Sequence, residues 1–332
     1  MDLPLVSAMF MAFALTLYVL LDGFDLGVGA LLLVQPDSRL RDRMVDAIAP
    51  VWDGNETWLI MAGVALLAAF PLAYGVLLPA LYLPLVVMLL SLGIRGVSFE
   101  FRHQSTLNRR RWDVAFAVGS VVAAAAQGVI MGALIQGIRV ENSAFAGSPL
   151  DAFTSFSAMT ALTFLAGSTM QGAGWLCLKG EPATRRLARA RLRWLPIVFL
   201  GLAVGATALA AEVQPGVAQR WREHPVPLSL LALGFAACGL LTTWGARRED
   251  SADSTPFLFG QGMLALALVG LVGIAFPNVV PFRVSLWSAA SGSGSQLFLL
   301  IGAAAVTPVV LAYNAFAYWT FRGKTPVDGW ES

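Results

Sequence analysis

The chain has 332 residues, 57% of them hydrophobic and 13% charged, with a net charge of +2. An ordinary soluble domain carries about 25% charged residues, and a charge so near zero gives no argument for a nucleic-acid partner. The charges fall in short clusters between stretches long enough to cross a bilayer, which takes about 20 apolar residues, and the alternation expected of a membrane barrel is missing.

This pattern predicts an all-α polytopic membrane protein forming a single integral membrane domain over residues 1–332. Nine helices are expected, at 4–34, 55–71, 78–101, 112–137, 152–178, 192–212, 226–246, 257–279 and 296–321. The first begins without a basic n-region, since residue 2 is Asp. Its apolar run continues past Asp22 and Asp25 to Val34, too long for a signal peptide, so it reads as a retained helix. The second and third are divided only by "FPLAYGVLLP", where Pro71, Gly75 and Pro79 can break helix. Cys177 and Cys238 sit in apolar spans as small buried side chains, without disulfide or metal spacing.

Twenty Arg but only two Lys, Lys179 and Lys324, make up the basic set. With the N-terminus outside, nine spans place 18 of these residues in inner segments and 4 in outer ones. That split follows the preference of basic residues for cytoplasmic loops. The expected orientation is therefore an N-terminus outside and a C-terminus in the cytoplasm.

In this topology the acids converge. Asp22 and Asp25, three residues apart, share a face in the inner half of the first helix. Asp53 and Glu56 open the second helix, Glu100 ends the third and Asp113 starts the fourth, all on the inner side. An acid within a membrane span is a functional candidate because its burial is costly. A plainer reading stands beside this one. Asp53 followed by Glu56 has the form of an N-cap with a capping-box partner, and Asp113 begins its helix in the same way. Glu56 and Glu100 can also pair with surface Arg. Asp25 reads as a proton carrier or half of a buried ion pair, with Arg95 its expected partner. Gly23 and Gly27 form a small-xxx-small pair that lets another helix come close. Gln127, Gln136, Ser168, Thr169 and Gln171 are expected to join helices by hydrogen bonds. Trp112, Trp194, Trp287 and Trp319 suit interface belts.

His103 and His224 both lie in linkers. Haem iron in a membrane protein is usually held by His, with Met as a second ligand, and no His is expected at membrane depth. There is no P-loop, no CxxC and no Gly-rich dinucleotide turn.

"DGFDLGVGAL" (22–31), "APVWDGNETWLI" (49–60), "AAFPLAYG" (68–75) and "RGVSFEFR" (95–102) resemble subunit II of cytochrome bd-type quinol oxidases. So do "STMQGA" (168–173), "FPNVVP" (276–281) and Trp287 to Gln296. The short linkers resemble the compact versions of this subunit, including the cyanide-insensitive branch. The resemblance implies two four-helix bundles plus one peripheral helix. It also implies a partner, subunit I, holding two b-type haems and one d-type haem, while this chain binds none. The complex oxidises quinol and reduces dioxygen to water with cytoplasmic protons. The family's proton-path carboxylates map onto Asp25 and Asp53, with Trp58 nearby, and Asp22, Glu56, Glu100 and Asp113 join them as candidates. Small accessory subunits, membrane lipids and a structural quinone or lipid on this chain stay open, as does ubiquinol against menaquinol. Two other readings remain: a proton-coupled secondary transporter, which would more often show inverted repeats, and a purely structural subunit.

Overall fold

In the computed structural model the described residues are 2–104, 108–248 and 250–326, without the side chain of His103. The first half holds α1 (Leu3–Leu33), α2 (Ser38–Asp46), α3 (Trp52–Ala69), α4 (Pro71–Ala80), α5 (Tyr82–Gln104) and α6 (Arg109–Gln136). A small hairpin of β1 (Val140–Glu141) and β2 (Ala144–Phe145) and a 3-10 turn, Pro149–Ala152, lead to α7 (Ser155–Lys179). Then come α8 (Pro182–Leu192), α9 (Leu195–Val213), α10 (Pro215–Glu223), α11 (Pro225–Arg247) and α12 (Ser254–Ala275). A second hairpin, β3 (Asn278–Val280) with β4 (Val284–Ser285), precedes α13 (Leu286–Ala289) and α14 (Ser293–Thr320).

Among the described residues seven stretches are long and apolar enough to cross a membrane: Leu3–Leu33, Tyr82–Arg102, Arg109–Gln136, Pro182–Val213, Pro225–Arg247, Ser254–Ala275 and Ser293–Thr320. The helices α3 and α7 have comparable length but more polar sequences, "WDGNET" opening one and Ser, Thr and Gln running along the other. The "FPLAYGVLLP" segment differs from expectation. It is not a loop but the short helix α4, with Pro71 at its first position, where a missing N–H costs nothing. The chain turns at Phe70 and again at Leu81.

Two sets of contacts define the ends of the molecule. At one, Arg41 of α2, Arg102 near the end of α5 and Asp113 near the start of α6 meet. Arg43 reaches Glu181, the N-cap of α8, and Lys179 at the end of α7 donates to the Phe321 carbonyl beyond α14. At the other, Trp287 Nε1 donates to Asp2 and the Ser7 hydroxyl donates to Gln296. There too Ser291 N donates to the Ala69 carbonyl, and Gln214 Nε2 donates to the Gln136 carbonyl.

α1 is the hub, packed against α3, α6 and α7, with α12 and α14 alongside. α5 packs on α6, α7 on α9, and α11 on α12. α14 rests on α3 and α1 and leaves Phe298, Ile301, Val309 and Phe316 exposed. An outward apolar surface of this kind suits lipid or another apolar chain rather than water.

Candidate functional site

The centre of the site lies between α1, α3 and α5. Asp22, Asp25 and Asn55 are fully buried, and Arg95 is 1% exposed. Arg95 Nη2 lies 2.7 Å from Asp22 Oδ1 and 2.7 Å from Glu56 Oε2. This corrects the expected pairing: Arg95 neutralises Asp22 and Glu56, while Asp25 takes its hydrogen bond from Asn55 Nδ2 at 2.8 Å. The register explains it. Asp22 and Asp25 are about 300° apart around a helix of 3.6 residues per turn, so they are neighbours but do not point identically, and α5 meets only the first. Asp25 Oδ1 has no hydrogen-bond partner among the described residues.

From this centre polar groups run two ways. Glu56, with its side chain 27% exposed, lies one turn beyond Asp53 on α3, and Asp53 is exposed. Inward, the Tyr18 hydroxyl stands beside Asp22 and accepts a hydrogen bond from Gln127 Nε2 of α6 at 2.8 Å. Trp58, two residues beyond Glu56 on α3, is fully buried. It meets Phe13 edge to face at 5.7 Å, and its Nε1 has no partner among the described residues.

The capping readings of Asp53 and Asp113 do not hold. α3 starts at Trp52 with Val51 as N-cap and no side-chain cap bond, so Asp53 lies inside the first turn. α6 starts at Arg109, four residues before Asp113. Asp113 instead belongs to a second cluster. Its Oδ2 accepts from Arg41 Nε at 2.8 Å and its Oδ1 from Arg102 Nε at 2.6 Å. Arg102 also pairs with Asp42, which Arg109 approaches at 3.2 Å. Of the six acids expected on the inner side, Asp22, Asp25 and Glu56 gather at the centre and Asp113 joins the second cluster, while Asp53 and Glu100 are exposed, Glu100 accepting from Gln104.

A third cluster caps the same end. Asp253 accepts from Arg185, Arg189 and Lys324 at 2.9, 3.0 and 2.7 Å. Burial opposes ionisation of Asp253, but these hydrogen bonds outweigh it and hold the carboxyl down at about 2.

The α1–α7 crossing brings Gly27 onto the backbone of Ser168 and Gly172. Beside it Gln171 Nε2 donates to Gln261 Oε1 at 2.7 Å, and Gln261 Nε2 donates to the Leu20 carbonyl at 3.0 Å. Gln136 serves as expected, donating to the Asp151 carbonyl.

Tyr18 was findable from sequence, since it sits four residues before Asp22 on the same helical face. Tyr318, whose hydroxyl donates to Asn55 Oδ1 at 2.9 Å, carries no local signal. No group of three or more His, Cys, Asp or Glu among the described residues is arranged to hold a metal ion. What the assembly offers chemically is a set of carboxylates, a phenol and amides that reach from an exposed acid into an apolar bundle.

The family model for cytochrome bd terminal oxidase subunit II matches residues 3–321. The chain is 28% identical to the cytochrome bd-I ubiquinol oxidase subunit 2 of Escherichia coli (strain K12), covering 96% of this chain and 93% of that one. It is 29% identical to the probable cytochrome oxidase subunit 2 of Haemophilus influenzae, over 91% and 90% of the two chains. With the cytochrome bd ubiquinol oxidase subunit 2 of Bacillus subtilis (strain 168) it shares 28%, over 96% and 94%. A chain in the structure of the bd oxidase from Geobacillus thermodenitrificans shares the fold, with a TM-score of 0.70 at 18% identity over 96% of each chain.

Proposed function

Given that the chain belongs to the cytochrome bd terminal oxidase subunit II family, we propose that it is the haem-free partner of a haem-bearing subunit I in a quinol oxidase and leads cytoplasmic protons toward it. It is a multi-pass membrane protein of an oxidoreductase complex and not itself the catalytic subunit. The finer reading has nine crossings, the seven apolar stretches plus α3 and α7 with α8 at the surface. It places the N-terminus outside and the Arg-rich end in the cytoplasm of a bacterial inner membrane. The packing of α5 on α6 around α1, and of α7, α9, α11 and α12, supports two bundles with α14 peripheral.

One observation carries the proton reading. Asp22 and Glu56 pair with a single Arg95 in an apolar bundle, Asp25 stands beside them without a cation of its own among the described residues, and the exposed Asp53 lies one turn away. A stability device would balance its charges. Here acids exceed bases, and a carboxylate is the group that accepts and releases a proton. Reducing dioxygen to water consumes protons, and titratable side chains of this kind can relay them through an apolar interior. In this reading Asp53 and Glu56 form the mouth, with Glu100 on the neighbouring helix surface, and Asp22 and Asp25 carry the proton inward past Trp58. Asp113, with each oxygen held by an Arg, is an anchor rather than a carrier.

The haem-free assignment rests on the donor set. His224 caps the exposed junction of α10 and α11, and the buried Met170 and Met263 are packed in the main apolar cluster. Among the described side chains no imidazole stands inside the bundle, and on this reading the haems and the oxygen chemistry belong to the partner. Purification through a tag on this chain should recover a haem-bearing subunit with b-type and d-type absorption. The chain expressed alone should show no Soret band. A stoichiometric haem signal from the chain alone would overturn the haem-free assignment, and a preparation lacking any haem partner would favour a transporter.

A further inference from the structure

The fully buried Asp25 carboxylate is hydrogen-bonded by one side chain among the described residues, the Nδ2 of Asn55. Asn55 is itself fully buried. Its Oδ1 accepts from the Tyr318 hydroxyl at 2.9 Å, and its Nδ2 also lies 3.5 Å from the Leu21 carbonyl. Three side chains on three helices thus stand in line: Tyr318 of α14, Asn55 of α3 and Asp25 of α1.

We propose that Tyr318 and Asn55 are positioning residues for Asp25, the phenol setting the direction of the amide and the amide serving both protonation states of the carboxyl. This rests on the reading of Asp25 as a proton carrier. An amide has one accepting end and one donating end, whereas a phenol does both. While Tyr318 donates to Oδ1, the donor end of Asn55 faces Asp25, which matches the ionised carboxylate. Once Asp25 holds a proton, its hydroxyl is a donor. The amide then turns to present Oδ1 to Asp25 and Nδ2 to the Tyr318 oxygen. The two side-chain hydrogen bonds broken in one arrangement are replaced by two in the other. Leu, Phe or Met in place of either residue would remove this reciprocity.

Tyr318 needs its height fixed for this, and α14 leans on the bundle along one side only. The fixing comes from beyond the helix. Trp175 packs edge to face on Tyr318 at 5.9 Å and anchors its own Nε1 on the Ala47 carbonyl at 2.8 Å. Lys179 Nζ donates to the Phe321 carbonyl at 2.6 Å. Lys324 Nζ donates to the carbonyls of Cys177 and Leu178 at 3.2 and 2.8 Å and to Asp253. Thr325 N donates to the Lys179 carbonyl at 2.8 Å. The segment after α14 is therefore strapped across the end of α7.

The charged and titratable groups facing Asp25 are Asp22 on its own helix, Arg95 from α5, Glu56 from α3 and Tyr318 from α14. α7 and α12 contribute the neutral Gln171 and Gln261 to the neighbouring turn of α1.

The test compares Tyr318→Phe, Asp25→Asn and the double variant in the assembled oxidase, reading haem content and quinol-driven oxygen consumption across pH. Tyr318→Phe keeps the ring on Trp175 and removes only the hydroxyl. It is expected to assemble with normal haem content, to slow turnover about two- to tenfold, the range of one net hydrogen bond, and to displace the pH dependence of the rate. In the Asp25→Asn background it should add nothing. Native rate and pH profile in Tyr318→Phe, beside a slow Asp25→Asn, would overturn the positioning role and leave the proton route intact. So would an additive double variant, or loss of the haem-bearing complex on removing the hydroxyl. Full activity in Asp25→Asn would instead sink the route itself, and the positioning role with it.

Discussion

Gly27 and Gly172 meet backbone to backbone where α1 crosses α7. A Cβ on Gly27 would lie 1.8 Å from the Ser168 carbonyl oxygen, and one on Gly172 would lie 2.3 Å from the Gly27 carbonyl carbon. Neither obstacle is a side chain that can swing away. Without a hydrophobic force between helices in lipid, such close packing is what holds them together. Gly27→Leu should therefore part the helices at a cost of about 3 kcal/mol, the upper range for overpacking, and lower the yield of assembled complex. Gly75→Ala, where a Cβ meets nothing within 4 Å, is the control. Equal yield and melting temperature for the two variants would contradict the crossing.

Asp53→Asn and Asp25→Asn each remove a titratable group while keeping its size. Both complexes are expected to assemble with normal haem content and to consume oxygen about a hundredfold more slowly, the lower range for a lost proton-transfer group. Since Val51 and not Asp53 caps α3, the change at Asp53 leaves the helix start undisturbed. Full activity in both, with haem retained, rules these residues out of the route.

Asp113→Ala leaves Arg41 and Arg102 buried without their shared carboxylate. Breaking a buried pair in this way costs about 3–5 kcal/mol. The expected result is loss of assembled protein, in contrast to the slow but assembled Asp25→Asn. An assembled Asp113→Ala complex with slow oxygen consumption would move Asp113 into the proton route.

Arg186 of α8 and Gln219 of α10 are exposed on linkers flanking α9. With Cys177 and Cys238 replaced by Ser, Arg186→Cys should react with an impermeant thiol reagent from the cytoplasmic side only, and Gln219→Cys from the outer side only. Labelling of both from one side would remove α9 as a crossing.

Asp253 ionises at about 2 in the folded chain against an ordinary 3.8. The sign follows: a lowered carboxyl stabilises the fold above its unfolded value, and the contribution is lost as pH falls through the folded value. Asp253→Asn should thus lower the melting temperature at neutral pH. The gap to the parent should close as the pH drops from 3.8 toward 2. A gap independent of pH would show that Asp253 acts by shape alone.

The long helices were legible because the bilayer imposes a coarse rule, a length of apolar sequence between charged clusters, and α1, α6, α11, α12 and α14 obey it within a few residues. α4 was not legible. Pro71 and Pro79 read as breakers, yet Pro is harmless at a helix start and tolerable near an end. The gathering of Asp22, Glu56 and Arg95 toward one end followed from the alternation of spans. Which acid faces Arg95 did not, because 100° of helical rotation per residue decides it and only the seating of α5 against α1 sets that angle. Asn55 and Tyr318 lie 263 residues apart. The sequence by itself determined the membrane class, most of the long apolar helices and the gathering of the acids toward one end. Tertiary structure alone divided them into Asp22–Arg95–Glu56, Asp25–Asn55–Tyr318 and Asp113–Arg41–Arg102, since contacts between distant helices depend on packing angles that no local pattern records.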